Sequence, residues 1–149
     1  MDRFQQLLWD LGELIELPLH IDKNSACKLL LDEKLEVQLE MDSDGEKLLI
    51  GAFLGELPPG KFRENVLKDA LKVNHLIHPY STLAFMEKTN TLILYQYLMA
   101  NELSGETLVE HLNVFIEEAE EWRAAITNGQ SAPAKYHTHE ALPPPHFIK

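Results

Sequence analysis

Residues 61–78 constrain the fold more than any other stretch, because they carry more apolar surface than one helix needs to dock on one sheet. On a helical wheel Phe62, Val66, Ala70, Val73 and Ile77 form one stripe. Leu67, Leu71 and Asn74 widen it to roughly 180°, against the ~100° that a core-facing stripe requires. Lys61, Glu64, Asn65, Lys68, Asp69, Lys72 and His75 hold the remaining side, so the helix is amphipathic with a widened seam. The extra arc needs a second partner, either a deep single core or another chain.

The rest of the chain supplies a sheet and two further helices. Phe4, Leu7, Leu8, Leu11, Leu14 and Ile15 recur at helical spacing, and Pro18 ends that run because the residue before a proline is pushed out of the helical region. Residues 26–31 read as a strand. In the next strand Leu35, Val37, Leu39 and Met41 alternate with Glu36, Gln38, Glu40 and Asp42, giving one buried face and one wet acidic face. Ser43, Asp44, Gly45 and Glu46 have turn chemistry, and residues 47–54 then form a strand apolar on both faces. Pro58, Pro59 and Gly60 break the chain before the wide helix, and Pro79 ends it. Residues 82–87 and 92–100 read as a hairpin whose second strand puts Leu92, Leu94 and Leu98 on one side and Ile93, Tyr95, Tyr97 and Met99 on the other. One of these sides meets the helices, and the other is free for something outside the monomer. Ser104 caps a last helix, with Glu106 and Glu110 near its positive end and a stripe of Leu108, Leu112, Phe115, Ala119, Trp122 and Ile126. The expected class is α+β in the order α-β-β-β-α-β-β-α, an antiparallel twisted sheet with helices packed on it. One domain spans residues 1–128, and residues 129–149, with Pro143, Pro144 and Pro145, form a flexible tail.

Composition limits the partners. Twenty-four acidic against thirteen basic residues give a net charge of -11, a field that repels nucleic acid phosphates and anionic lipid headgroups. No stretch approaches the ~20 apolar residues of a membrane span. The start of the chain lacks the basic and apolar regions of a signal peptide. The single cysteine, Cys27, cannot form an internal disulfide, which fits a reducing cytosolic compartment.

No cluster with catalytic spacing stands out. His75 and His78 lie three apart, yet no carboxylate or thiolate completes a metal set by spacing. His137, His139, Glu140 and His146 fall in the polar tail, where chelation would be weak and unselective. Cys27 alternates with Leu29 and Leu31, a core pattern and not that of an activated nucleophile. Gly51, Gly55 and Gly60 match neither a phosphate loop nor a dinucleotide fingerprint. Glu117, Glu118, Glu120 and Glu121 read as a wet helix face. No catalytic residue, metal or cofactor is expected.

Five segments carry a family likeness. They are Cys27-Lys28-Leu29-Leu30-Leu31-Asp32, then Leu48-Leu49-Ile50-Gly51-Ala52-Phe53-Leu54-Gly55-Glu56-Leu57-Pro58, then Ala70-Leu71-Lys72-Val73-Asn74, then Thr91-Leu92-Ile93-Leu94, and finally Phe115-Ile116-Glu117-Glu118-Ala119-Glu120-Glu121-Trp122-Arg123. With the element order and the acidic charge, the chain resembles the class I type III secretion chaperones, the Tir chaperone family, over roughly residues 4–126. The resemblance implies a non-enzymatic, cytoplasmic bacterial homodimer. Such a dimer holds the N-terminal region of a secreted effector in extended form, soluble and competent for secretion. It implies a dimer seam at Leu67, Leu71, Asn74 and His78, with Leu83 and Phe85 as neighbours. It also implies a client surface drawn from Phe4, Leu8, Leu11, Leu29, Leu31, Val37 and Leu39, although the inward half of those stripes must build the core. A component of the secretion apparatus is a further candidate partner, through the tail. The alternatives are an α+β adaptor or regulatory module that recognises a folded partner, and a small hydrolase or metal enzyme using the histidines.

Overall fold

The structure, a computed structural model, describes residues 2–76 and 81–137. In chain order the elements are α1 (Arg3–Ile15), β1 (Ala26–Leu31), β2 (Leu35–Met41), β3 (Lys47–Glu56), α2 (Lys61–His75), β4 (Thr82–Met86), β5 (Thr91–Met99), a 3-10 turn (Ala100–Glu102), α3 (Gly105–Thr127) and a short α4 (Ala134–His137). The expected α+β order is present. The wide helix is described only as far as His75, and Ile77, His78 and Pro79 lie outside the described residues.

Local chemistry sets the helix starts. Asp2 accepts a hydrogen bond from the Gln5 N–H at 2.8 Å while the Gln5 side chain accepts from the Asp2 N–H, a reciprocal cap on α1. Ser104 and Thr107 do the same for α3. At Gly60, φ is 150°, a conformation that a side chain would oppose, so the turn after Pro58 and Pro59 can enter α2 only through glycine.

All strand pairs are antiparallel, in the order β1-β2-β3-β5-β4. α1 and α3 pack together, and α3 crosses the inner face of the sheet at β3 and β2. They approach closely at Gly105, where an added Cβ would come within 2.9 Å of the Asp10 Cβ. Leu35, Val37, Leu39, Leu48, Ile50, Leu92 and Leu94 from the sheet meet Leu7, Leu11, Leu108, Phe115 and Trp122 from the helices, and this is the core. Cys27 is buried in it, and that burial pushes its thiol pKa up, away from nucleophile chemistry.

The segment that follows α3 departs from the expected flexible tail over its first part. Ala132 and Pro133 are buried, the Ser131 hydroxyl donates to Asp69 on α2, and Lys135 pairs with Glu121 at 2.8 Å. Tyr136 lies 6.0 Å from Trp122, and burial beside Glu118 pushes its pKa up to about 12. A single turn has no period to detect, so apolar contacts at three positions escape a test based on spacing. Residues 138–149, with His139, His146 and the three prolines, lie outside the described residues.

Candidate partner-binding surfaces

Among the described residues, helices cover only one face of the sheet. On the other, β2 presents Glu36, Gln38 and Glu40, whereas β3 and β5 present Leu49, Phe53, Ile93, Tyr95, Tyr97 and Met99. Alternation makes this unavoidable, because strands apolar at every position put half their side chains on the outer face. Phe53 pairs with Ile93 across the β3–β5 register, and Ala84 flanks Ile93 from β4. The result is an open apolar trough of about 290 Å³, lined by Phe53, Met86, Ile93, Tyr95 and Tyr97 and bordered by Gln38 and Glu40. Tyr97 is 55% exposed, with the Lys47 ammonium 5.8 Å above its ring and Tyr95 edge-on at 6.0 Å.

A second depression, of about 660 Å³, runs beside the C-terminal half of α1. It is lined by Trp9, Gly12, Leu17, Pro18, Leu19 and His20, with Glu13 and Glu16 at its rim. Trp9 is 61% exposed there, and Leu14 and Leu17 are exposed as well.

The sheet edges differ. On β1 the register pairs Cys27 with Leu39 and Leu29 with Val37, and the Ala26 N–H and C=O turn away from β2 to meet Asp22. By alternation the backbone groups of Lys28 and Leu30 also face outward, and among the described residues nothing bonds them. Two successive open positions form a strand-accepting edge. Asp22 anchors its start: its carboxylate accepts from the Ala26 and Asn24 N–H groups at 3.1 and 2.8 Å, and these bonds hold its pKa below the ordinary value of 3.8. A depressed carboxylate pKa means the anchor is intact above the ordinary value and is lost as pH falls through the folded one. The Ala26 and Asn24 amide proton shifts should therefore titrate together with the Asp22 carboxyl, with a midpoint below 3.8. A midpoint at or above that value would contradict the anchor.

The expected site residues divide. Phe4, Leu8, Leu11, Val37 and Leu39 are core side chains with almost no exposure, because they occupy the faces of α1 and β2 that meet across the interior. Leu29 and Leu31 are half-buried and also point inward, as their pairing with Val37 and Leu35 requires. Leu83 is buried, and Phe85 is half-buried beneath the Arg63 guanidinium at 5.2 Å. Val66, Ala70 and Val73 of α2 face the core, Leu67 is half-buried, and Leu71 is 70% exposed. The surplus arc of α2 thus narrows to Leu71 and Leu67. The side-chain amide of Asn74 is engaged within the protomer, bonded to Leu83. His78 lies outside the described residues. Phe53, Met86, Trp9 and Leu30 were absent from the expected set, although the two-sided apolarity of β3 and β5 was the signal for the first.

Among the described residues no three His, Cys, Asp or Glu side chains converge on a metal position, and no helix is long and apolar enough to cross a membrane. The sequence matches the model of the Tir chaperone protein (CesT) family over residues 6–123. No curated protein matches the chain. Similar solved structures include the HopA1-SchA chaperone-effector complex, 27% identical, covering 83% of this chain and 94% of that one with a TM-score of 0.69. The ExsC-ExsE complex is 26% identical, with coverage of 83% and 96% and a TM-score of 0.72. The Yersinia pestis type III secretion chaperone SycH, in complex with a fragment of YscM2, shares the fold at 17% identity, with coverage of 80% and 98% and a TM-score of 0.61.

Proposed function

The chain belongs to the Tir chaperone protein (CesT) family, and on that premise we propose that it is a cytoplasmic type III secretion chaperone that works as a homodimer and holds the N-terminal region of an effector in extended form. The observation that carries this reading is the open apolar trough at Phe53, Ile93 and Tyr95, on the same sheet as a β1 edge whose Lys28 and Leu30 backbone groups are unpaired among the described residues. An extended client fits both. One stretch of its main chain pairs with β1, and other stretches lay apolar side chains in the trough and in the depression beside Trp9. The net charge of -11 keeps these apolar surfaces soluble and favours basic client segments. The similarity to the HopA1-SchA chaperone-effector complex supports an effector as the partner. A component of the secretion apparatus is a further candidate partner, through the segment that begins at residue 129.

The seam runs along α2, with Leu71 and Leu67 from each protomer burying one another about a two-fold axis. Two client surfaces per particle then add avidity through effective concentration. Because a two-fold seam counts each substitution twice, Leu71→Glu should weaken dimerisation by roughly 100-fold or more. Light scattering tests this: the native chain is expected at twice its monomer mass at micromolar concentration and the variant at one. A native chain that stays monomeric at high micromolar concentration would refute the seam. For the client, limited proteolysis of whatever effector copurifies should leave a protected N-terminal fragment without a folded core. A copurifying protein held through a folded domain would favour the adaptor alternative.

A further inference from the structure

We infer that Asn74 closes the β4 edge of the sheet, so that strand addition is confined to the β1 edge. The client half of this inference rests on the reading above; the closure itself does not.

A five-stranded antiparallel sheet ends in two edges, and each exposes the backbone groups of alternate residues. On β4 the partner pairs are Leu83 with Leu94 and Phe85 with Leu92. The Asn74 side chain fixes which groups point outward: its Nδ2 donates to the Leu83 carbonyl at 2.8 Å, and its Oδ1 accepts from the Leu83 N–H at 2.9 Å. These are the two bonds that a residue of a neighbouring strand would exchange with Leu83. Asn74 therefore imitates one residue of a sixth strand. Leu83 stands at the second of the five positions of β4, and by alternation only Phe85 among its later residues also faces outward. With Leu83 taken, no two successive outward positions remain on β4, whereas β1 keeps Lys28 and Leu30.

The edge needs such a guard. Thr82, Leu83, Ala84, Phe85 and Met86 contain no charge, no proline and no glycine, and Thr82 and Phe85 favour strands, so nothing in the segment opposes self-pairing. β1 differs, since Lys28 faces outward on it. Asparagine is a poor residue for a helix interior but suits the penultimate position of α2, from which a short amide reaches the strand. The partner excluded is a second copy of β4, antiparallel about a two-fold axis, which would join two sheets through their edges.

The test uses the whole chain without client. In the native protein the Leu83 amide should exchange at least about tenfold more slowly than the Lys28 amide, because both point outward and only one is bonded among the described residues. In Asn74→Ala, Leu83 should lose that protection, and the protein should assemble beyond its native size as β4 edges pair. Asn74→Asp leaves an acceptor for the Leu83 N–H but sets a charge on the edge, so it should keep the native size. An Asn74→Ala chain with the native size or with native Leu83 protection overturns the inference. If Asn74→Ala does not fold, the native comparison decides alone, and a Leu83 amide exchanging as fast as that of Lys28 overturns it. No readout involves a client, so failure here and failure of the client reading are separate results.

Discussion

Ile93→Asp should lower client affinity by roughly 100-fold or more while leaving the chain folded and dimeric. Ile93 sits on the outer face of β5 with Phe53 beside it on β3 and Ala84 on β4, the centre of the open trough. An aspartate there stays solvated in the free protein, because the trough is open to water. Binding a client would strip that water from a carboxylate set in an apolar trough, and central desolvated positions dominate interface energies at about 2 kcal/mol or more each. The fold bears little of the change, since a half-exposed outward position off the core costs ~1 kcal/mol or less. Fluorescence anisotropy with a labelled client segment reads the affinity, and calorimetry reads the melting temperature. Unchanged affinity in a folded variant would remove the trough from the binding surface. A large fall in melting temperature would show instead that Ile93 supports the fold.

Trp122→Ala should destabilise the protomer by about 3–5 kcal/mol, the range for removing a large buried aromatic side chain. Trp122 is fully buried near the C-terminal end of the α3 stripe, and the segment after α3 lays Tyr136 against it. Its loss leaves a cavity under α3 and removes the floor on which that segment rests. For a chain of this size each kcal/mol is worth ~2–4 °C, so the melting temperature should fall by roughly 10 °C. Trp122→Phe is the informative control. The indole Nε1 is buried without a hydrogen-bond partner among the described residues, so the smaller ring gives up volume but also removes an unsatisfied donor. The phenylalanine variant should therefore lie much closer to the native chain than to the alanine variant. Equal losses for both would mean that the indole nitrogen contributes something the geometry lacks.

The fold was legible where period and punctuation agreed. The alternation of Leu35, Val37, Leu39 and Met41 fixed both the strand and its inward face, and Pro58, Pro59 and Gly60 separated β3 from α2. Ser104 marked the start of α3 to the residue. What failed was the sorting of apolar residues into core and surface. Leu8 and Trp9 are neighbours on α1, yet one is buried and the other open, and only the position of α3 decides which. The stripe that reads as a client surface on α1 and β2 is the stripe that any core also requires. The informative residues were instead those apolar at positions where alternation leaves no core to fill, namely Phe53, Ile93 and Tyr95. Asn74 was counted into an apolar arc by its place on the wheel. Its bonds to Leu83 depend on which edge β4 occupies, and strand order is not a local property of sequence.

One measurement bears most directly on how the chain works: amide hydrogen exchange on the complex with an effector segment, followed at Lys28 and Leu30 and along the client. Both chaperone amides should pass from near-unstructured exchange rates to strong protection. The client should gain protection along a continuous N-terminal stretch, without the cooperative exchange of a folded domain. Lys28 and Leu30 amides that remain open beside a client exchanging as one globular unit would contradict strand addition and the extended-client mechanism together.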